Sequence, residues 1–309
     1  MSQYPYLTLN EYYRERFGKK IAKIALDAGF TCPNRDGTLG TEGCIFCSAY
    51  GSGDYAQSRT LSISEQIEKG KEMIEKKWKD VGYIAYFQAF TNTYAPVSVL
   101  EKIYNEALTQ PDVVGVSIAT RPDCLGEDVL DLLEEISKKT ALYVELGLQT
   151  ANEETAVFIE RGYANDVFVT AVNALHKRNI PVVVHLILGL TNETSCDILK
   201  SIDFINNLPI HGVKLQLLHV IEGTKLAELY KKGAYAPLTL EEYLLLLCEA
   251  VARLRPDMIV HRFTGDGKED TLLAPLWSLK KINVLNGFHK KIKKESIFQG
   301  QTYQKRKEQ

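Results

Sequence analysis

The sequence predicts an α/β fold in which six parallel strands alternate with helices. Six short apolar runs recur along the chain, and longer amphipathic segments separate them. The runs are rich in Val, Ile, Leu and aromatic residues with little polar alternation, which is typical of buried parallel strands. In chain order they are Ile21–Leu26, Tyr83–Phe87, Val113–Ile118, Leu142–Leu148, Pro181–Leu188 and Val213–Val220. Such strand–helix units in series predict one parallel sheet with right-handed crossovers.

Five amphipathic segments predict the helices between these strands. The segment Ser62–Lys79 begins with a serine and places Glu65 three residues later, which is the spacing of a capping box. The others are Pro96–Leu108, Glu127–Lys139, Asn165–Lys177 and Glu193–Asn207. Because six units are fewer than the eight of a closed TIM barrel, we predict a partial (β/α)6 TIM-type barrel. A doubly wound open sheet is the alternative that periodicity leaves open.

The pattern changes in the last third of the chain. We predict that residues 1–221 form the barrel and that residues 222–309 form a C-terminal extension packed on it. Within the extension, Leu240–Leu254 predicts an apolar helix and Met258–Phe263 a short extra strand. Residues 289–309 form a basic tail that also contains aromatic residues.

The overall composition is that of an ordinary globular protein. The formal net charge is −2, which argues against a generally basic nucleic-acid-binding protein but allows a local basic patch. The N-terminal residues lack the apolar centre of a signal peptide, and the longest apolar runs are too short to span a bilayer. We therefore expect a cytoplasmic protein without membrane association.

Three of the six cysteines lie close together in the sequence. Cys32, Cys44 and Cys47 fall in the glycine-rich loop 27–53, directly after the first predicted strand. This position places them at the carboxyl end of the sheet, where α/β folds bind ligands. The lack of an export signal argues against a disulfide framework, so the three thiols require another chemical explanation.

Three explanations compete for this cysteine group. The thiols could have no function, although a C-x-x-C pair with a third nearby cysteine rarely arises by chance. A structural zinc site would need a fourth ligand, and neither a second C-x-x-C nor a histidine pair follows at suitable spacing. An iron–sulfur cluster with three protein ligands would leave one iron open to an outside ligand, as a catalytic cluster requires.

The loop resembles that of the radical S-adenosylmethionine (SAM) superfamily. It keeps the C-x2-C half of the superfamily motif, with Phe46 before the last cysteine, but separates Cys32 from Cys44 by eleven residues. The stretch CPNRDGTLGTEGCIFC is similar to the fingerprint of the Elongator-like branch, and most of all to YtqA/YhcC-type bacterial proteins. Further segments that carry the resemblance include FQAFTNTYAP, VELGLQT and HLILGLTNET.

The resemblance implies a mechanism and two cofactors. Cys32, Cys44 and Cys47 would hold a 4Fe–4S cluster, and SAM would bind its open iron. One electron, from a donor such as flavodoxin or ferredoxin, would cleave SAM to methionine and a 5′-deoxyadenosyl radical. The protein would bind, orient and shield the reactants, since the difficult chemistry belongs to the cofactor. The oligomeric state stays open.

Residues at the strand ends are the candidates for SAM contacts. An arginine there, such as Arg121, suits the methionine carboxylate, although a structural salt bridge is the alternative. Glu145 is a charge within an apolar run, so we expect SAM or a neighbouring arginine beside it. Arg161 is a second candidate for the carboxylate, and Gly189 would let the adenine approach the backbone. The full set is Gln88, Thr91, Asn92, Ser117, Arg121, Glu145, Gln149, Arg161, His185, Gly189 and His219.

The substrate is the least defined part of the prediction. The basic stretches His289–Lys294 and Lys305–Lys307 flank Phe298 and Tyr303, a combination that suits phosphates and stacked bases. The Elongator resemblance implies tRNA as the partner and a C5 substituent of its wobble uridine as the target, such as a carboxymethylaminomethyl group. A radical SAM enzyme for a small metabolite and a non-catalytic metal-binding module are the alternatives.

Overall fold

A computed structural model describes residues 4–51, 53, 55–265 and 267–304 of the chain. Seven of its strands form one parallel sheet that curls into a half-barrel, and two short strands, β7 and β9, pair antiparallel beside it. In chain order the strands are β1 (Lys20–Leu26), β2 (Val81–Phe87), β3 (Val113–Thr120), β4 (Ala141–Gln149), β5 (Val182–Leu188), β6 (Gly212–Leu217), β7 (Val220–Ile221), β8 (Ile259–Arg262) and β9 (Leu272–Ala274).

The strand order confirms the partial barrel. Strands β1 to β6 are neighbours in chain order, and β8 follows β6 at the far edge. A doubly wound sheet would reverse its strand order at a switch point, and this sheet has no such reversal in its described strands. The short strand predicted over Met258–Phe263 forms as β8 and makes the barrel seven-stranded rather than six-stranded.

Helices follow the strands and cover the outer face of the sheet. Ser62 and Glu65 form the predicted capping box, with Ser62 N donating to Glu65 Oε2 at 2.8 Å. The helices are α1 (Leu9–Phe17), α2 (Ile63–Glu75), α3 (Val97–Leu108), α4 (Glu127–Ser137), α5 (Glu153–Phe158), α6 (Asn165–Lys177), α7 (Ser195–Asn206), α8 (Lys225–Lys231), α9 (Leu240–Arg253) and α10 (Lys281–Lys294). The predicted strand Val213–Val220 was too long, because the chain leaves the sheet after Leu217 and re-pairs as β7.

The inside of the half-barrel is closed at its amino-terminal end by helix α1. This helix contacts both edge strands, β1 and β8, so it bridges the opening between them. Tyr13 of α1 is buried there against Ile84, Tyr143 and Val183 of the inner sheet face. An apolar plug therefore fills the lower end of the barrel, and space for a ligand remains at the carboxyl ends of the strands.

The C-terminal region shares the main core. Helices α9 and α10 pack against each other, and their buried side chains belong to the same apolar cluster as the outer sheet face. The basic stretch predicted from residue 289 lies largely on α10, where Phe288 and Ile292 are buried and Lys291 pairs with Glu241. Lys305–Lys307 lies outside the described residues. The division of the chain at residue 221 stays a prediction.

Candidate active site at the carboxyl ends of the strands

A cavity of about 270 Å³ opens at the carboxyl ends of the strands, with the cysteine loop forming one wall. It brings together most of the residues that the sequence predicted as a site. Those that line it are Cys32, Cys44, Cys47, Gln88, Thr91, Arg121, Glu145, Gln149, Arg161, His185 and His219. The strand-end rule for α/β proteins therefore located the cavity correctly.

Three predicted residues do not line the cavity. The Asn92 side-chain amide donates to the carbonyls of Phe87 and Ala119, so it ties the ends of β2 and β3 together. Ser117 is buried and donates to Glu145 at 2.6 Å. The carbonyl of Gly189 accepts a hydrogen bond from Tyr235 at 2.9 Å. Their assignment to SAM stays a prediction.

The cysteine loop is held in place by hydrogen bonds to its neighbours. The Asn34 amide donates to the carbonyls of Glu160 and Arg161, and it lies 3.7 Å from Cys44 Sγ. Arg35 donates to the carbonyls of Cys47 and Ser48, which fixes the turn around the C-x-x-C pair. These hydrogen bonds fix the loop backbone, and the three thiols line one cavity.

The three thiols supply the donor atoms that a 4Fe–4S cluster with one open iron needs. Among the described residues, no three His, Cys, Asp or Glu side chains surround one point closely enough for one ion. In a 4Fe–4S cluster each cysteine binds a different iron, so the thiols stand further apart than around a zinc ion. The donor set is three sulfurs, carried by half-buried residues at the wall of one cavity.

The environment of Cys44 determines the protonation state of its thiol when no metal is bound. Burial, and then the proximity of Cys47, raise the pKa of the Cys44 thiol to about 12, and only Arg121 and the Asn34 amide oppose this. The free thiol is therefore protonated at neutral pH. Because a thiol must lose its proton to bind metal, cluster binding at this position would release a proton.

Two arginines lie beside the cysteines. Arg121 forms a bidentate pair with Asp123, with its NH2 2.6 Å from Oδ2, and donates to the carbonyl of Arg161. Arg161 is almost fully buried and donates to backbone carbonyls at residues 148, 150 and 163. The centre of the Tyr163 ring lies 4.8 Å from the guanidinium carbon of Arg121 and 4.7 Å from the guanidinium carbon of Arg161.

These contacts give both arginines a structural task. The Arg121 pair with Asp123 is the salt bridge that sequence reasoning weighed as the alternative to a ligand contact. The guanidinium of Arg161 donates to carbonyls at the end of β4 and thereby fixes the turn after α5. This turn in turn supports the cysteine loop, because the carbonyl of Glu160 accepts from the Asn34 amide. Contact of either arginine with the methionine carboxylate stays a prediction.

Glu145 is the centre of a buried network on the cavity floor. Its side chain is fully buried, and Lys23 and His185 each approach one of its oxygens to 2.6 Å. Lys214 donates to the same oxygen as His185 and also lies 2.9 Å from the hydroxyl of Tyr86. The sequence predicted SAM or an arginine as the partner of this carboxylate. The protein partners are instead two lysines, a histidine and Ser117.

The network shifts the pKa values of its members in opposite directions. Burial alone would raise the pKa of Glu145, but Lys214, Lys23 and the hydrogen bond from His185 hold it well below its ordinary value. Burial, and then the charge of Lys214, lower the pKa of His185 to about 4. Burial also lowers the pKa of Lys214 to about 7, although Glu145 opposes the shift. The floor therefore holds an ionised carboxylate and a neutral imidazole at neutral pH.

The mouth of the cavity, where Tyr55 and Phe90 line it, has aromatic and cationic side chains around it. Tyr50 and Tyr55 are 60% and 52% exposed, unusual for large aromatic residues. The ammonium group of Lys268 lies 5.3 Å from the centre of the Tyr50 ring. The guanidinium carbon of Arg59 lies 5.4 Å from the centre of the Phe90 ring. These residues come from the end of the cysteine loop, the strand-2 end and the segment before β9. Sequence reasoning missed this surface because Phe90 and Lys268 join Tyr50, Tyr55 and Arg59 only in the folded chain.

The fold and the cysteine loop together define a radical SAM protein, and comparison with known proteins shows the same. Residues 32–205 match the radical SAM superfamily and residues 210–294 match the radical SAM C-terminal domain. The chain belongs to the radical SAM superfamily, and it is a radical SAM enzyme by family. The cofactors of this family are a 4Fe–4S cluster and SAM. No helix in the described part of the chain is long and apolar enough to cross a membrane.

Relatives confirm the Elongator-like branch. The chain is 45% identical to YtqA of Bacillus subtilis over 98% of its own length and 94% of that protein. It is 37% identical to YhcC of Escherichia coli K12, over 85% of its length and 84% of that protein. A tRNA uridine(34) acetyltransferase of Methanocaldococcus jannaschii is 33% identical over 42% of this chain and 24% of that protein.

A solved structure shows the same fold. The archaeal Elp3 of Methanocaldococcus infernus, with an N-terminal deletion, superposes with a TM-score of 0.69 at 19% identity. The match covers 90% of this chain but only 64% of that one, so the chain spans about two-thirds of the length of that protein. At this identity the similarity concerns the fold alone.

Proposed function

We propose that the protein cleaves SAM at a 4Fe–4S cluster held by Cys32, Cys44 and Cys47 and modifies the C5 side chain of the wobble uridine of tRNA. One such reaction converts a carboxymethylaminomethyl group and water to an aminomethyl group and glyoxylate, a two-electron oxidation in which SAM is the oxidant and ends as methionine and 5′-deoxyadenosine. When bound, the cluster and SAM supply a 5′-deoxyadenosyl radical. The chain's own residues position these groups and close the site against water.

The three cysteines carry the first part of the proposal. They line one cavity, no fourth sulfur ligand lies beside them among the residues that line it, and the loop that bears them is fixed by Asn34 and Arg35. Three protein ligands leave one iron available to the amino and carboxylate groups of SAM. The cavity of about 270 Å³ that the three cysteines line is the space in which SAM would bind.

The mouth of the cavity carries the second part. Exposed rings at Tyr50 and Tyr55, with the cations Arg59 and Lys268 beside them, form a surface on which bases can stack and phosphates can be neutralised. Tyr55 lines the cavity, whereas the basic stretch His289–Lys294 that the sequence favoured, now on α10, does not line it. The similarity to the archaeal tRNA uridine(34) acetyltransferase supports uridine 34 of tRNA as the target.

The nucleoside composition of tRNA tests this proposal. A strain that lacks the gene is compared with one complemented by the wild-type gene and one complemented by Cys47→Ala. We expect a precursor nucleoside with an unprocessed C5 side chain to accumulate without the gene and with the Cys47 variant, but not with wild type. An unchanged nucleoside profile by mass spectrometry would show that the substrate is not tRNA.

A further inference from the structure

His185 of strand β5 lines the cavity beside Glu145. Its neighbours along the strand, Val184 and Leu186, are buried in the main apolar core on the outer face of the sheet. Because successive residues of a strand point to opposite faces, the imidazole of His185 points into the half-barrel. A ring with two nitrogens is therefore part of the wall of the space in which the reactants would lie.

The two ring nitrogens of His185 have different surroundings. Nε2 lies 2.6 Å from Glu145 Oε2. Nδ1 makes no hydrogen bond to any part of the chain that the structure describes, and it is not fully enclosed by protein atoms. Since His185 lines the cavity, Nδ1 is accessible from there. One nitrogen is thus bound by a carboxylate, and the other is available to a ligand.

The charges around the ring determine which nitrogen carries the proton. Burial raises the pKa of Glu145, but Lys214 and Lys23 outweigh it and hold this pKa well below its ordinary value, so the carboxylate is ionised and can only accept hydrogen bonds. Burial, and then the charge of Lys214, lower the pKa of His185 to about 4, with Arg262 acting in the same direction and Glu145 against it. At neutral pH the imidazole is therefore neutral, with its proton on Nε2 and a lone pair on Nδ1.

A histidine that a carboxylate holds in one tautomer has the arrangement of a general base. The carboxylate orients the ring and stabilises the imidazolium that forms when Nδ1 takes up a proton. An imidazolium that loses its proton readily is also an effective acid. With Glu145 behind it, His185 can therefore remove a proton from one group in the cavity and deliver it to another.

The proposed reaction contains a step that needs such proton transfer. Oxidation of the carboxymethylaminomethyl group removes two electrons and produces a carbon–nitrogen double bond, which water must then hydrolyse. Because the site is closed against bulk water in the proposed function, a single water molecule has to be bound and activated inside it. The oxygen of this water bonds to carbon, and both of its protons must reach the nitrogen.

We infer that His185, oriented by Glu145, is the catalytic base that activates this water and then delivers its protons to the nitrogen of the substrate. The inference rests on the proposed function and assigns a residue to its hydrolytic half. Nδ1 takes a proton as the water oxygen bonds to the carbon of the double bond, and it returns that proton to the nitrogen. The second proton follows the same route as the carbon–nitrogen bond breaks. The products are glyoxylate and the aminomethyl group as an ammonium ion; no electron is transferred, and the ring ends unchanged.

This role differs from the contact with SAM that the sequence predicted for His185. A residue that only contacts the cofactor affects SAM binding and cleavage, which precede hydrolysis. A base for hydrolysis affects a later step and leaves the formation of 5′-deoxyadenosine intact. The step at which the reaction of a His185 variant stops therefore separates the two roles.

A single-turnover reaction quenched with sodium borodeuteride tests the inference. The anaerobic, reduced holoenzyme is mixed with SAM and an anticodon stem-loop RNA that carries 5-carboxymethylaminomethyluridine. Borodeuteride reduces any carbon–nitrogen double bond that has not been hydrolysed and marks the restored side chain with deuterium. His185→Gln, which keeps a hydrogen-bond donor for Glu145, should form 5′-deoxyadenosine as the wild type does. It should release glyoxylate about a hundredfold more slowly and accumulate the deuterated nucleoside.

Two further variants separate catalysis from general damage. His176→Gln removes an exposed histidine on α6, a helix on the outer face of the sheet, and it should release glyoxylate at the wild-type rate. His185→Ala should be as slow as His185→Gln, but added imidazole should restore its glyoxylate release, which a structural role would not show. Thermal unfolding of each variant reports whether it is folded; if His185→Gln is not, His185→Ala with and without imidazole carries the test.

Two outcomes overturn the inference alone. One is a His185→Gln protein that releases glyoxylate as fast as the wild type. The other is a His185→Gln protein that binds SAM more weakly in equilibrium dialysis and forms little 5′-deoxyadenosine, which would place His185 at the cofactor. A wild type that cleaves SAM but releases no glyoxylate from this RNA overturns the proposed reaction, and the catalytic base with it.

Discussion

Glu145 Oε1 accepts a hydrogen bond of 2.6 Å from Lys23 Nζ, which joins the fourth strand of the half-barrel to the first across its interior. The other oxygen of Glu145 is bound by His185 and Lys214 from the fifth and sixth strands. Ser117 of the third strand also donates to Oε1, so one buried carboxylate connects five strands at the floor of the cavity. The floor of the active site and the stability of the barrel depend on the same group.

Removing the charge of Glu145 should destabilise the fold. In Glu145→Gln, two buried ammonium groups lose their counter-charge, and breaking a buried pair in this way costs about 3–5 kcal/mol. Urea denaturation should show a clearly lower midpoint than wild type. Glu135→Gln, which removes a fully exposed partner of Lys138, should leave the midpoint unchanged.

A double variant tests whether the loss comes from the unpaired lysine. Adding Lys214→Met to Glu145→Gln removes one of the two uncompensated charges, so part of the lost stability should return. Lys214→Met alone gives the change in unfolding free energy that this substitution causes in the wild type. If the double variant loses the sum of the two single changes, Glu145 and Lys214 do not act as a pair.

Stability should fall as the pH is lowered through the titration range of His185. The folded pKa of about 4 lies below the ordinary value of 6.5, so between these values the unfolded chain binds a proton that the folded chain does not. Stability therefore decreases as the pH drops from about 6.5 to about 4, by at most about 1.4 kcal/mol per pH unit for one group.

The variant His185→Gln isolates this contribution. It keeps a hydrogen-bond donor for Glu145 but does not titrate, so the dependence of unfolding free energy on pH should become less steep between about pH 6.5 and 4. Denaturation of both proteins at several pH values measures the difference. Equal slopes would mean that other groups, such as His211 or His261, cause the acid sensitivity.

The cluster should depend on three cysteines and not on the others. Replacing Cys32, Cys44 or Cys47 singly by alanine should abolish most of the bound iron and sulfide after anaerobic reconstitution, because each thiolate holds a separate iron. Cys196→Ala is the matched control, since Cys196 is exposed and lies outside the cavity. An unchanged iron content in any of the three variants would remove that cysteine from the ligand set.

The aromatic mouth of the cavity should contribute to RNA binding. Tyr50→Ala should weaken binding of tRNA by roughly ten- to a hundredfold, since a stacked base contributes about 1–3 kcal/mol, whereas Tyr50→Phe should bind as wild type. The control Trp78→Ala removes a similar exposed ring 3.4 Å from the ammonium group of Lys20, which begins β1 at the opposite, amino-terminal end of the sheet. Equal effects of Tyr50→Ala and Trp78→Ala in a filter-binding assay would argue against this surface.

The sequence allowed most of the barrel and the cavity wall to be predicted. Buried parallel strands appear as apolar runs, and ligands collect at their carboxyl ends, so the cysteine loop and the residues after the strands could be placed together. Strand β8 appeared only as a possible extra strand. Its pairing with β6 depends on how the C-terminal region packs, which local pattern does not encode.

The network around Glu145 could not be predicted in full. Lys23 and Lys214 are charges within apolar runs, just as Glu145 is, and this signal could have marked all three as an internal group. Which of them meet depends on the register of strands β1, β4 and β6 and on the curl of the sheet. Helix α1, which seals the barrel, also escaped prediction, because its nine residues carry only a weak apolar pattern.

Formation of 5′-deoxyadenosine from SAM by the anaerobically reconstituted, chemically reduced protein tests the central claim most directly. We predict that the wild type shows the visible absorption of a 4Fe–4S cluster and releases 5′-deoxyadenosine and methionine, and that Cys47→Ala does neither. A protein that binds zinc instead of iron, or that carries the cluster but leaves SAM intact after reduction, would contradict the account.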